Sequence, residues 1–470
     1  MIAARSFAHQ STGVFGLARS GIASVRSLRA GGARVYAWDD KESARVVAEA
    51  EGAQVLPWRD WPWDKLKALV LSPGVPLTHP KPHDIVVKAQ ASNAEVIGDI
   101  ELFAREIRPD VAFRGTAPVI AITGTNGKST TTALTGHILN SCGFDAEIGG
   151  NIGKPVLELS PPGAKTIYVL EVSSYQIDLS PGLKPDVAVL SNITPDHIDR
   201  HGSLEAYAAV KARLLQQAAG GTAVIGVDDA LTSSIYTKLM SSGQQALPVS
   251  VGKVLGRGVF VLDGVLYDSQ GGRANRIVDF AQASHLPGAH NWQNAALAYA
   301  ATRNFARDVR AVASAIEDFP GLAHRIEDVG RIGRVRFVND SKATNADAAE
   351  RALVCFPDIF WIAGGRAKEG GIESLAGHFP RVRKAYLIGE AARGFAGTLD
   401  GHVPFEIAGT LDAAVASAYA EAARSQVASP VVLLSPACAS FDQFRDFEHR
   451  GDEFRAAVRR LASAHLREAS

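Results

Sequence analysis

The stretch that most constrains this chain begins at Pro118. An apolar, β-branched run over 119–123 meets two glycines, Gly124 and Gly127, and then Lys128-Ser129 opens a helix-compatible segment reaching about Cys142. Strand, glycine loop, Lys-Ser and helix form the physical recipe for holding a polyphosphate. Glycines let backbone N–H groups crowd around phosphate oxygens, and the helix N-terminus adds unpaired N–H groups and a favourable dipole. Lys128 is expected to neutralise the outer phosphates, with the Ser129 hydroxyl reaching a magnesium ion. In the usual G-x-x-x-x-G-K-[ST] spacing the first glycine would fall on Ile122, so the loop is a variant. The bland alternative is a glycine-rich strand-to-helix turn with an exposed lysine.

At 470 residues the chain has room for three domains, given roughly 100–200 residues per domain; we expect them at 1–110, 111–322 and 323–470. Lys plus Arg and Asp plus Glu number 49 each. No global charge therefore argues for nucleic acid or an anionic membrane surface, and an anionic ligand must be held locally. Cys142, Cys355 and Cys438 are scattered and odd in number, which suits a reducing compartment better than a disulfide scaffold. No apolar run approaches the ~18–20 residues of a membrane span. A cytoplasmic enzyme without membrane insertion is the expectation.

In the first third, a weak strand over 11–15 enters Gly16-Leu17-Ala18-Arg19-Ser20-Gly21, followed by a helix carrying Ile22, Val25 and Leu28 and a strand over 34–38 ending in Asp39. This is the opening βαβ of a dinucleotide-type fold, with an acid where a ribose hydroxyl would be read. Ala18 at the second glycine position makes the fingerprint weak. Further strands are expected at 68–72, running into Pro73-Gly74, and at 95–98, leading into a helix. Their glycines either simply end strands or frame a nucleotide at the strands' carboxyl ends.

The middle third offers a strand over 166–176 containing Glu171 and another over 186–192. The latter leads into Pro195-Asp196-His197-Ile198-Asp199-Arg200-His201. A buried Glu beside a phosphate loop needs a partner, and a metal is the best candidate. One of the two histidines is expected to be merely solvated. On the helix from about 203, Tyr207 and Lys211 share a face; a lone helix lysine is usually surface charge. Asp263-Gly264 marks a hairpin. Asn291 and Asn294, three apart, offer two amides on one helix face, with capping by Asn291 as the alternative. The last third alternates strands (334–339, 358–363, 382–388, 431–434) with helices, a second open α/β domain. Polar clusters follow three of those strands, at 339–345, 364–368 and 435–444. Phe441, Phe444 and Phe447 read most simply as core, although Phe441 or Phe447 could line a pocket.

Taken together, Gly124 to Ser129, His290-Asn291-x-x-Asn294, His324-Arg325 and the run from Asn339 to Asn345 resemble the Mur ligases. The 435–444 run, Gly364-Gly365-x-x-Lys368 and the compact glycine-turn first domain look like the branch that adds D-glutamate. The likeness extends from Gly16 to about Phe454. It implies an α/β protein of three domains: a Rossmann-like N-terminal domain, a central P-loop ATPase domain with a mainly parallel sheet, and a Rossmann-like C-terminal domain. The implied activity is ATP-dependent amide ligation of D-glutamate to UDP-N-acetylmuramoyl-L-alanine through an acyl phosphate, by a monomer using two magnesium ions.

By the same resemblance, Gly124, Thr125, Asn126, Gly127, Lys128, Ser129 and Thr130 hold phosphates, with Asn291, Asn294, Arg325, Asp340 and Lys342 also on ATP. Metal ligands would be Ser129, Glu171, His197 and a carbamylated Lys211; Lys128, Glu171, His197, Lys211 and Lys342 are the implied catalytic set. Arg19, Ser20, Asp39, Gly74, Asn151 and His197 would hold the UDP-substrate. Thr344, Lys368, Ser440, Phe441 and Phe447 would shape the D-glutamate pocket. Arg19 and Lys41 depart from the family pattern, standing where an uncharged residue and an arginine are expected.

Overall fold

The computed structural model describes residues 1–107, 117–218, 220–283, 285–367 and 370–469. The expected boundary between 110 and 111 lies outside them. Contacts divide the chain into two units, one of Met1–Ala283 with Asn291–Phe319 and one of Ser284–His290 with Pro320–Ser470.

The first unit holds two sheets. The first comprises β1 (Ser11–Phe15), β2 (Arg34–Trp38), β3 (Gln54–Val55), β4 (Leu66–Leu71) and β5 (Glu95–Ile97). All its pairings are parallel, in the order β3-β2-β1-β4-β5. Every residue of β1 is buried, and Gly13 is required there because the Trp61 ring lies 2.3 Å from where a Cβ would stand. The helix Arg19–Ala30 seals one face with Ile22, Val25 and Leu28, positions spaced to fall on one side of a 3.6-residue turn.

The second sheet comprises β6 (Val119–Thr123), β7 (Asp145–Gly150), β8 (Thr166–Glu171), β9 (Val187–Leu190), β10 (Thr222–Gly226), β11 (Ala246–Val251), β12 (Val259–Leu262), β13 (Val265–Asp268) and β14 (Asn275–Asp279). Its order is β14-β13-β12-β11-β10-β9-β6-β8-β7. The pairings from β7 to β12 are parallel, and the last two are antiparallel. The expected Asp-Gly hairpin joins β12 to β13, with φ of 50° at Asp263 and 75° at Gly264, the two positive values a type I′ turn requires. Strand β6 is buried throughout and lies between β8 and β9. Ile122 pairs with Glu171 and Thr123 with Leu190, so three strand ends converge at the glycine loop. The strand expected over 166–176 stops at Glu171. Ser173 and Gln176 form a reciprocal capping box that starts the helix Ser174–Asp178, giving the backbone a helical alternative that wins over β-propensity.

The second unit contains β15 (Glu327–Ile332), β16 (Val335–Asn339), β17 (Ile359–Gly364), β18 (Val382–Ile388), β19 (Phe405–Gly409) and β20 (Val431–Leu434). Their order is β15-β16-β20-β17-β18-β19, with β15 alone antiparallel to its neighbour. The buried Trp361 on β17 donates its indole N–H to the Ser435 carbonyl at 2.8 Å. A wholly buried indole needs such a partner, and the bond ties the loop after β20 to the strand beside it.

Candidate active site

In the first unit the glycine loop is held from within and from both sides. Gly127, at φ +81°, precedes the helix Lys128–Ser141; a Cβ there would stand 2.1 Å from Asn294 Oδ1. Asn294 also accepts from Thr131 Oγ1 at 3.3 Å and donates to Asn291 Oδ1 at 3.3 Å. The two amides therefore share a face, and Asn291 lies inside the helix Ala289–Thr302 rather than capping it. Gly124, at φ +149°, would place a Cβ 1.9 Å from Ser191 Oγ. That hydroxyl donates to the Asn126 carbonyl at 2.6 Å, and Asn192 Oδ1 accepts from the Asn126 amide at 2.9 Å. Thr125 Oγ1 lies 3.2 Å from the Tyr207 hydroxyl. The Lys128 ammonium donates to the Gly124 and Thr125 carbonyls at 2.8 Å each. Ser129 is buried in the first helical turn, with Thr130 partly buried beside it.

Glu171 sits at the end of β8 with 1% of its surface exposed. Oε1 accepts from Asn151 Nδ2 at 2.8 Å, and Oε2 is buried with no partner. An unpaired carboxylate oxygen in the interior is costly, and a bound cation would satisfy it. No cluster of three or more His, Cys, Asp or Glu able to hold a metal exists among the described residues. A buried carboxylate oxygen on the strand beside the glycine loop suits a hard, oxygen-seeking cation, as magnesium is.

Lys211, which shares a helix face with Tyr207, is not surface charge: it is 1% exposed. Its Nζ donates to the Gly124 carbonyl at 2.9 Å and lies 4.6 Å over the Tyr207 ring. Burial, and then the charge of Lys128, push its pKa well below 10.5, against the pull of Asp196 and Glu171. Burial thus shifts the balance from ammonium towards neutral amine, the form that is a nucleophile. His197, in the left-handed region at φ 53°, lies half-exposed with Nε2 3.4 Å from Asp196 Oδ2. Burial lowers its pKa; Lys128 and Lys211 push the same way and Asp196 opposes. His201 is the buried one of the pair, bonded to Ser174 Oγ at 2.9 Å.

Around the first glycine turn, Asp39 accepts backbone N–H groups from Leu17 at 2.6 Å and Lys41 at 2.8 Å. Arg19 donates to the Gly153 carbonyl at 2.9 Å, while the Gly74 carbonyl accepts from Arg200 at 3.0 Å. Ser20 lies on the opening turn of the helix Arg19–Ala30. Asn151, expected near a UDP-substrate, is anchored on Glu171 as well.

The second unit brings its three polar clusters to the adjoining carboxyl ends of β16, β20 and β17. Asp340 accepts from Ser435 Oγ at 2.8 Å and from the Ile326 amide at 3.2 Å. Burial raises its pKa to about 7 against those two bonds. Lys342 Nζ lies 3.6 Å over the Phe447 ring. Thr344 follows in the same turn, its amide bonded to the Lys342 carbonyl at 2.8 Å. Arg325 lies just before β15. Ser440 is buried, but Phe441 is 64% exposed and is not the core residue the sequence suggested. The helix begins only at Phe447, so the apolar period read back to 441 crosses a turn. Lys368 lies outside the described residues.

Sequence reasoning passed over two anchors. Asn192 lies two residues past the end of β9, the strand beside the loop strand, and a polar residue just after an apolar run was the available signal. Arg450 is fully buried, donating to Ser341 Oγ, the Ser341 carbonyl and the Cys438 carbonyl at 3.0, 2.8 and 3.0 Å. An arginine in a charged helix gives no sequence signal of such burial.

A glycine loop at the end of a parallel strand, with a buried acid on the adjoining strand, defines a nucleotide-phosphate-binding α/β protein. Residues 122–302 match the model of the Mur ligase middle domain. Over 465 residues the chain is 54% identical to the UDP-N-acetylmuramoylalanine–D-glutamate ligase of Caulobacter vibrioides, covering 98% of both. It is 53% identical over 458 residues to the protein of that name from Mesorhizobium japonicum, covering 97% of both. The fold is similar to that of UDP-N-acetylmuramate–alanine ligase from Thermotoga maritima, with TM-score 0.58, 16% identity and coverage of 97% and 99%. It is also similar to that of a MurF ligase of the same organism solved with ADP, with TM-score 0.55, 16% identity and coverage of 87% and 98%. The chain belongs to the Mur ligase family. Within it, the chain groups with the relatives named UDP-N-acetylmuramoylalanine–D-glutamate ligase.

Proposed function

We propose that this protein joins the carboxylate of UDP-N-acetylmuramoyl-L-alanine to the amine of D-glutamate, with cleavage of ATP to ADP and phosphate. The γ-phosphoryl group passes to the carboxylate, giving an acyl phosphate. The amine of D-glutamate attacks the acyl carbon and gives up a proton, and the tetrahedral adduct expels phosphate to leave an amide. Its carrying observation is Lys211, a buried lysine biased towards the neutral amine beside a phosphate loop. Such an amine can add carbon dioxide: its lone pair forms the N–C bond, a proton leaves, and a carbamate anion replaces the neutral amine.

In this reading the backbone of Gly124, Thr125, Asn126 and Gly127, with Lys128, Ser129 and Thr130, holds the phosphates, and Asn291 and Asn294 brace that loop. Ser129, Glu171, His197 and carbamylated Lys211 would hold two magnesium ions. When bound, magnesium supplies positive charge against the developing phosphate charge. We assign Arg19, Ser20, Asp39, Gly74, Asn151 and His197 to the UDP-substrate. In the second unit, Arg325, Asp340 and Lys342 are assigned to the nucleotide, and Thr344, Lys368, Ser440, Phe441 and Phe447 to D-glutamate. Both nucleotide substrates suit a cytoplasmic location. Among the described residues no helix is long and apolar enough to cross a membrane.

Phosphate release tests the proposal. We expect turnover only when UDP-N-acetylmuramoyl-L-alanine, ATP and D-glutamate are all present, with L-glutamate a poor replacement. Equal turnover with L-glutamate, or release that needs no amino acid, would overturn it.

A further inference from the structure

Within the first unit, Arg200 stands one turn beyond His197 and makes contacts that the proposed chemistry does not use. Its guanidinium donates to three successive carbonyls of one loop: Pro73 at 3.5 Å, Gly74 at 3.0 Å and Val75 at 3.0 Å. The other face of the group lies 4.5 Å from the Tyr175 ring, and that ring is 5.0 Å from the His197 ring. Two residues on, Gly202 leaves room for His79, whose Nε2 lies 2.8 Å from where a Cβ would stand. The loop after β4 and the segment carrying His197 are thus docked by one planar cation with an aromatic at its back.

From this geometry we infer that Arg200 is a positioning residue for the nucleotide-diphosphate end of the substrate. It acts by orienting the peptide planes of the 73–75 loop and coupling that loop to His197. In a trans peptide the N–H points opposite to the C=O. Holding the Pro73 carbonyl towards Arg200 therefore turns the Gly74 N–H to the opposite side of the loop, where it can serve an anion. The three carbonyls are held from two separate guanidinium nitrogens of a planar fork; an ammonium presents its donors from one point on a flexible stem and does not reproduce that spread. The inference rests on the proposed UDP-substrate reading and adds to it a residue that touches no substrate.

Equilibrium binding of UDP-N-acetylmuramoyl-L-alanine to the full chain, without ATP or D-glutamate, tests it on Arg200→Ala and Arg200→Lys, followed by steady-state kinetics. Bonds from a charged donor to several acceptors predict roughly a 10- to 100-fold weaker Kd for Arg200→Ala. We expect KM for this substrate to rise in proportion, KM for ATP and D-glutamate to stay within about twofold, and Arg200→Lys to recover only part of the loss. Unchanged binding, full recovery by lysine, or a fall in kcat with every KM unchanged would overturn the inference. If Arg200→Ala does not melt cooperatively, Arg200→Lys carries the test, because it keeps the charge and loses the fork. Absence of D-glutamate-dependent phosphate release by the unaltered protein would instead sink the proposed function.

Discussion

Asn151 Nδ2 donates to Glu171 Oε1 at 2.8 Å, leaving the other carboxylate oxygen buried without a partner. Glu171→Gln keeps the shape and removes the charge. Since an unpaired buried charge is destabilising, the variant should melt at or above the temperature of the parent protein in chelator. Added magnesium and ATP should stabilise it less, and phosphate release should fall about 10²- to 10³-fold. A parent-like response to magnesium would remove Glu171 from the metal site.

Lys211→Ala should nearly abolish turnover while leaving a folded protein. Short carboxylates added to the assay are expected to restore part of the activity, since they supply the anion that the carbamate would provide. Activity of the parent protein should also fall when bicarbonate and dissolved carbon dioxide are stripped. Near-normal turnover by the variant would end the carbamate assignment.

Gly127→Ala forces a side chain into a position 2.1 Å from Asn294 Oδ1 at a φ of +81°. The left-handed backbone alone costs an L-residue about 1–2 kcal/mol. We expect lower stability in urea titration and a raised KM for ATP. Adding Asn294→Ala should relieve the clash but not the backbone strain, so the double variant should lose less than the sum of the singles. Strict additivity would show that the two residues do not bear on one another.

Asp340 has its pKa raised by burial from 3.8 to about 7. The folded state therefore favours the protonated carboxyl. That contribution to stability is complete below about pH 4 and is lost as pH rises through about 7. Asp340→Asn has no such dependence. Its melting temperature relative to the parent should climb between pH 5 and pH 8; a flat or falling difference would contradict the burial argument.

Where a local rule and the tertiary fold agreed, the sequence was a sufficient guide. Strand Val431–Leu434 is a continuous apolar run, and Val382–Ile388 becomes one after Arg383 and Lys384, so both were readable as buried strands. Glu171 was singled out because it ends a buried strand, whereas Lys211 read as surface charge from its helix alone and entered the candidate site only through the family resemblance. Legibility failed at edges and turns. The edge strand Asp145–Gly150 is polar and ends in two glycines, and its pairing with β8 comes from register, not propensity. Phe441 misled because hydrophobicity alone does not say where a helix begins. Arg450 was passed over because the groups that hold its guanidinium, the Ser341 hydroxyl and carbonyl above all, lie outside its own helix.

The glycine loop carries one more consequence. Its shape is kept by bonds internal to the protein, from Ser191 to the Asn126 carbonyl, from the Asn126 amide to Asn192 and from Lys128 to the Gly124 and Thr125 carbonyls. Most of the entropy of ordering the loop is therefore lost when the chain folds, not when a phosphate arrives. Binding becomes an exchange of acceptors around a standing mould, with Lys128 giving up carbonyl oxygens for more strongly charged phosphate oxygens. Such a site discriminates by charge density: a ligand that offers less than a dense polyanion gains too little to displace the carbonyls already in place.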